Sequence, residues 1–268
     1  MLLPFHDNNP IRRWPWVTIA LIVANVAAYW FVARQPQQRQ AEIYTHFGFV
    51  PQRIEQLDDP QLVVEVDVTP PEAEPERPGA PVEKKFISLP ADPGEILLSL
   101  VTCMFLHAGW LHLASNMWFL WLFGNNIEDR LGHVIFALFY LVIGLLASAC
   151  HWGVEPSSSV PVVGASGAVA GVLGAYAVTF PKAKVKTLVF LFIITIVELP
   201  ALVVLFVWFG FQVWQGTLAL QGEVHSVAWW AHIGGFLGGV LLMPLMAAGA
   251  PEPGTHWEDE VEEEFRLE

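Results

Sequence analysis

Charged residues are scarce in this chain. Only 15% of its 268 residues are Asp, Glu, Lys or Arg, whereas a soluble domain usually carries about 25%. Hydrophobic residues make up 54% of the chain, and this imbalance indicates a protein of the lipid bilayer. Basic residues are the scarcer of the two charged kinds, with 13 Lys and Arg against 26 Asp and Glu. The chain therefore offers no basic surface to neutralise phosphates, which argues against a nucleic-acid partner.

Cysteine is scarce as well, since Cys103 and Cys150 are the only two. They could form one disulfide, but cysteines with apolar neighbours are more often small buried hydrophobes, and we favour that interpretation. The H-E-x-x-H pattern of zinc proteases is absent. No carboxylate or thiolate clearly converges on His107, His112 and His232. We therefore expect no metal and no cofactor.

The acidic residues are concentrated in two segments. Eleven lie in residues 55–95 and eight in residues 252–268. The first group belongs to a Pro- and Glu-rich insert at about 51–95, whose middle cannot bury enough apolar surface to fold alone. The second group belongs to an acidic tail, 249–268. The net charge of −13 thus describes two solvent-facing segments and not the core.

Long apolar runs predict membrane-spanning helices, which need roughly 20 mostly apolar residues each. The candidate spans are 16–33, 110–127, 134–152, 165–181, 199–215 and 230–248. The apolar stretch 185–197 is short and follows a lysine cluster. It is either a buried or interfacial segment between the fourth and fifth spans, or a seventh span.

Six spans place the basic residues near the span ends on one side, which the positive-inside rule makes cytoplasmic. These residues are Arg12, Arg13, Arg130, Lys182, Lys184 and Lys186. We therefore expect an all-α polytopic membrane protein with a cytoplasmic N-terminal segment (1–15), a membrane domain (16–248) and a cytoplasmic tail (249–268). A long outer loop joins its first two helices.

Four polar residues inside the predicted spans are candidates for function, because polar groups in lipid are costly. His112 and Asn116 are spaced i,i+4 on one face of the second span. Ser166 begins the fourth span and His232 lies near the start of the sixth. With six spans these three helices run in the same direction, so all four residues lie at the same depth, just below the outer surface. Seven spans would move His232 to the opposite side.

Small residues every four positions in the fourth and sixth spans allow close helix contact in lipid. Such contact could bring the Ser166 hydroxyl within about 2.6–3.2 Å of the His232 ring. His232 would then act as a base, while Asn116, His112 and the free backbone N–H groups of the helix start would stabilise an oxyanion. Gly164 would let the backbone turn and a substrate approach.

No intramembrane carboxylate is obviously placed to orient the histidine, so a Ser–His dyad is favoured over a triad. Each of these residues alone would be interpreted as a helix cap, an interfacial anchor or a packing residue. Their matched depth favours a site.

Three segments, "FLHAGWLHLASNMWFLWLFGNNIEDRLGH", "GASGAVAGVLGAY" and "AHIGGFLGG", together resemble the rhomboid family of intramembrane serine proteases. The resemblance covers most of 97–248, and residues 16–31 fit the family's first helix. It implies a six-helix rhomboid bundle around a water-filled cavity open to the outer side. It also implies that Ser166 is the nucleophile, that His232 is the general base, and that Asn116 and His112 help to form the oxyanion hole.

Family members cleave transmembrane segments of other proteins near the outer membrane face, so the expected partners are transmembrane protein substrates and the lipid bilayer. We expect a multi-pass protein of the bacterial inner membrane with both termini cytoplasmic. The insert at 51–95 is longer than the family leads us to expect. An inactive rhomboid-like protein that binds or chaperones membrane proteins is the alternative. A transporter, for which internal repeats would be typical, ranks last.

Overall fold

Helices dominate the residues that the computed structural model describes, which are 2–70, 82–190, 194–221 and 227–248. The helices are α1 (Trp16–Ala33), α2 (Gln37–Phe47), α3 (Pro93–Thr102), α4 (Trp110–Phe119), α5 (Asn125–Leu131), α6 (His133–Val154), α7 (Ser166–Thr179), α8 (Ala201–Leu220) and α9 (Trp229–Met246). The strands are β1 (Leu2–Asp7), β2 (Val64–Asp67), β3 (Phe86–Leu89), β4 (Lys184–Phe190) and β5 (Ile194–Pro200). A short π-helix, Leu120–Gly124, continues α4 into α5.

All six predicted spans fall on helices of this structure. Helices α1, α6, α8 and α9 are each long and apolar enough to cross a membrane, and the bent pair Pro93–Phe105 and Trp110–Leu131, which meet at 78°, counts as one further candidate span. Helix α7 has 14 residues and is therefore only about 21 Å long, against about 30 Å for the hydrocarbon core. The chain is thus a mostly helical, multi-pass membrane protein with four or five candidate spans among the described residues.

The centre of the fold is the pair α7 and α9. Eleven of the 14 residues of α7 are buried, so this helix is enclosed by its neighbours. A Cβ added to Gly235 would meet the Gly167 carbonyl, and one added to Gly239 would meet the Gly171 carbonyl. Backbone therefore packs directly on backbone, as the small residues in these two helices predict.

The structure corrects the all-α prediction, because it contains two small antiparallel sheets. Strands β1, β4 and β5 form one sheet in the order β1-β4-β5, and β1 belongs to the segment predicted at 1–15. The described residues of the apolar stretch 185–197 lie in strands β4 and β5, which pair from Lys184–Pro200 to Phe190–Ile194. It is therefore not a seventh helical span. Val185 and Thr187 are fully buried, and this period-two burial is typical of a strand.

The insert at 51–95 contains the second sheet. Strands β2 and β3 pair from Val64–Leu89 to Asp67–Phe86, and both residues of the first pair are fully buried. The side-chain amide of Gln56 donates to the Leu89 carbonyl at 2.8 Å. Residues 71–81 of the insert and the acidic tail 249–268 lie outside the described residues.

A half-buried carboxylate links the N-terminal strand to the helices. The Asp7 carboxylate accepts hydrogen bonds from the Asn126 amide at 2.7 Å and from the Tyr176 hydroxyl at 3.0 Å. The Asn9 amide lies 2.6 Å from the same hydroxyl. Burial raises the pKa of Asp7 from 3.8 to about 6, although the hydrogen bonds oppose the shift.

The substitution Gly239→Ala should lower the unfolding temperature, because its Cβ would meet the Gly171 carbonyl and push α7 and α9 apart. Overpacking of this kind costs about 1–3 kcal/mol. Gly210→Ala in α8 is the matched control, since an added Cβ there would meet no side chain or neighbouring helix of the described residues within 4 Å. That control should be neutral or slightly stabilising. Thermal unfolding in detergent measures both variants, and equal shifts would contradict direct backbone packing.

The substitution Asp7→Asn should stabilise the protein at neutral pH but not at low pH. The folded protein keeps the Asp7 proton up to about pH 6, while the unfolded chain releases it near pH 3.8. The stability contributed by this group is therefore complete below pH 3.8 and is lost as the pH rises to about 6. Asparagine keeps the acceptor oxygen and never ionises. Unfolding temperatures across this pH range test the prediction, with Asp58→Asn, an exposed acid, as the control that should show no such trend.

Candidate active site

The start of α7 is shaped by a glycine. Gly164 has φ +130°, which is a left-handed conformation that favours glycine. A Cβ at this position would lie only 2.8 Å from the Cε1 and Nε2 atoms of His112. Gly164 therefore lets the chain turn beneath the His112 ring just before Ser166 begins the helix.

Ser166 and His232 lie within hydrogen-bonding distance. The Ser166 Oγ atom is 2.8 Å from the His232 Nε2 atom, which is the reach expected for a nucleophile and its base. Ser166 is the first residue of α7, and His232 lies in the first turn of α9. The packing of Gly235 on the Gly167 carbonyl holds these two turns together.

The other nitrogen of the His232 ring contacts a residue that the sequence analysis missed. The Nδ1 atom lies 2.7 Å from the Oε1 atom of Gln212, in the middle of α8. Gln212 is 4% exposed. Its position inside an apolar predicted span was a usable signal, because a buried amide in a membrane helix is as unusual as a hydroxyl.

His112 and Asn116 lie on α4 beside the same site. The Asn116 side-chain amide donates to the His112 carbonyl at 2.9 Å. Its second N–H group has no partner among the described residues and can donate to a ligand. The His112 ring packs edge-on against the buried ring of His107, with centroids 5.1 Å apart. This contact fixes the position of the His112 ring above Gly164.

These side chains line one cavity of about 590 Å³. Asn116, His112, Ser166, Gln212 and His232 all contribute to its walls. Further polar groups on its walls are those of Ser115, His151, Glu155 and Ser158. The structure thus brings together the four polar residues that the sequence analysis placed at one depth.

The described residues contain no cluster of metal-ligating side chains. No group of three or more His, Cys, Asp or Glu residues among those residues could hold a metal ion. Cys103 and Cys150 are both free thiols. What the cavity does offer is a hydroxyl, an imidazole that can accept its proton, and amide donors nearby.

Comparison with known proteins identifies the family of the chain. The sequence profile of the Rhomboid domain matches residues 95–249, more than half of the chain. RHOMBOID-like protein 6, mitochondrial, of Arabidopsis thaliana is 30% identical over 264 residues, which cover 91% of this chain and 72% of that protein. Rhomboid protease GluP of Bacillus subtilis is 32% identical over 158 residues, which cover 58% of this chain and 27% of that protein.

Another relative has a higher sequence identity over a shorter alignment. Rhomboid-like protein 11, chloroplastic, of Arabidopsis thaliana is 46% identical over 71 residues, which cover 26% of this chain and 25% of that protein. The chain thus spans about a quarter of the length of Rhomboid-like protein 11 and of GluP. It spans 72% of the length of RHOMBOID-like protein 6. The profile match and the long alignment with RHOMBOID-like protein 6 show that the chain belongs to the rhomboid family.

Proposed function

We propose that this protein is an intramembrane serine endopeptidase that uses Ser166 and His232 as a catalytic dyad. The observation that carries the proposal is the 2.8 Å contact between Ser166 Oγ and His232 Nε2 in a cavity of a multi-pass membrane protein. A relative that carries the name rhomboid protease, GluP, supports the same reaction.

The reaction follows from the positions of these groups. The Ser166 oxygen attacks the carbonyl carbon of a substrate peptide bond as its proton passes to His232 Nε2. The C–N bond then breaks, and His232 returns the proton to the leaving amine. Water, with its proton again taken by His232, hydrolyses the acyl-serine and regenerates the hydroxyl.

The negative charge that develops on the carbonyl oxygen is stabilised by hydrogen-bond donors. The backbone N–H of Ser166 is free at the start of α7, and the second N–H of the Asn116 amide is available. His112 can donate from its ring, and Gly164 leaves room for the substrate backbone to approach. Together they make the proposed oxyanion hole.

The substrates that fit this site are transmembrane segments, cut near the outer membrane face. Ser166 and His232 lie in the first turns of their helices, whereas Lys182 and Lys184 follow the other end of α7. The positive-inside rule makes the basic end cytoplasmic, which puts the site on the outer side.

We infer a six-helix rhomboid bundle in which α1, the continuous helix of α4 and α5, and helices α6 to α9 are the spans. Residues 1–15 and the tail 249–268 would then be cytoplasmic. A bacterial inner membrane is the proposed location.

A fluorophosphonate probe should label the wild-type protein in detergent or liposomes but not Ser166→Ala or His232→Ala. Both variants should also lose cleavage of a model transmembrane substrate while they stay folded. Ser115→Ala is the matched control, because this hydroxyl faces the same cavity but bonds to the His112 carbonyl. Labelling of Ser166→Ala would contradict the dyad. A folded wild type that neither labels nor cleaves would favour an inactive, substrate-binding relative.

The substitution Asn116→Ala should lower kcat by about 10–1000-fold, as expected for loss of an oxyanion donor, with a smaller effect on KM. Asn25→Ala is the control, since Asn25 is also buried and also donates to the carbonyl four residues earlier, but lies on α1 outside the cavity. Steady-state cleavage of a model substrate measures both. Equal kcat losses would indicate a structural role for Asn116.

A further inference from the structure

We propose that Gln212 is a positioning residue for His232: it accepts a hydrogen bond from the Nδ1–H group and thereby selects the imidazole tautomer that can take the Ser166 proton. This inference rests on the proposed protease function and adds a third member to the dyad. Gln212 acts through the histidine and not on the substrate.

The two nitrogens of the His232 ring have one partner each. The Nδ1 atom faces Gln212 Oε1 at 2.7 Å, and the Nε2 atom faces Ser166 Oγ at 2.8 Å. His232 is 9% exposed and Gln212 is 4% exposed. Water therefore has little access to the Nδ1 atom, so the Gln212 amide determines whether that atom carries a proton.

The orientation of the amide follows from its second contact. The Gln212 Nε2 atom lies 3.3 Å from the Trp208 carbonyl oxygen, one helical turn earlier. A carbonyl oxygen can only accept a hydrogen bond, so the amide nitrogen must face Trp208. The amide oxygen therefore faces the imidazole.

An amide oxygen likewise can only accept, so the His232 Nδ1 atom must carry the proton. A neutral imidazole holds one N–H group, which leaves the Nε2 atom with a free lone pair toward Ser166. This is the tautomer that a general base needs. The opposite tautomer would point an N–H at the serine and could not remove its proton.

An amide suits this position because it offers an acceptor without a charge. A carboxylate performs the same task in Ser–His–Asp triads, but a buried charge in a membrane bundle is costly. The rings of Trp208 and Trp229 lie 6.2 Å and 5.9 Å from the His232 ring. These rings confine the imidazole, and Gln212 sets which of its nitrogens carries the hydrogen.

The variant that isolates this bond is Gln212→Met, which keeps the chain length and loses the acceptor. We expect kcat to fall by about 10–100-fold, the range seen when the partner that orients a metal-ligating histidine is removed. KM and the unfolding temperature should change little. Gln212→Glu presents an oxygen at the same position and should retain most of the activity. Gln215→Met on the same helix, outside the cavity, is the matched control and should behave as wild type.

A second readout does not depend on cleavage. In the full-length Ser166→Ala protein in detergent, ¹⁵N-labelled histidine should show His232 as the Nδ1–H tautomer, with its signal assigned by comparison with a His232→Asn sample. Adding Gln212→Met should convert that signal to a mixture of tautomers or to the Nε2–H form.

The outcomes separate the two proposals. An active wild type with unchanged kcat in Gln212→Met, or an unchanged ¹⁵N tautomer in that variant, would overturn the role of Gln212 alone. A drop in kcat together with an equal loss of unfolding temperature, and no rescue by Gln212→Glu, would show a packing role and overturn it too. Cleavage that persists in Ser166→Ala would overturn the protease mechanism, while the ¹⁵N experiment would still test the tautomer.

Discussion

The direct contact between the backbones of α7 and α9 is the constraint on which the rest of the structure depends. Hydrocarbon gives two helices no hydrophobic reason to associate, so close packing must supply the attraction. Gly235 and Gly239 allow the carbonyls of Gly167 and Gly171 to approach α9. The separation of Ser166 and His232 is set by this approach, because both side chains project from the first turns of the packed helices. A larger residue in this seam would therefore move Ser166 away from His232.

Much of this arrangement follows from the sequence, and the parts that do not have physical reasons. The first predicted span, 16–33, has the bounds of α1, since a long apolar run in lipid has few alternatives to a helix. The four polar residues His112, Asn116, Ser166 and His232 line one cavity, and each lies within the first two turns of its helix. Their agreement in depth was the strongest signal in the chain.

Among the features that the sequence analysis did not predict are the β4–β5 hairpin and Gln212. Residues 185–197 are apolar overall, and total hydrophobicity does not separate a short helix from a strand. The strand is recognised from the alternation of buried Val185 and Thr187 with more exposed neighbours. This alternation is visible only once the structure shows which face of the strand is buried. Gln212 is not a carboxylate, which is the usual partner of a catalytic histidine. An uncharged acceptor satisfies the same geometry at a lower cost of burial.

The pairing of β1 with β4 also has a consequence for biosynthesis. Leu2 pairs with Val189, and Asp7 pairs with Val185, so the sheet joins residues separated by nearly two hundred positions in the chain. Strand β1 has no partner until the ribosome has made residues beyond β4. Strand β1 must therefore wait without its strand partner while the helices up to α7 are made. Closure of this sheet can only follow the synthesis of β4, and it ties β1 to helices that precede β4 in the chain.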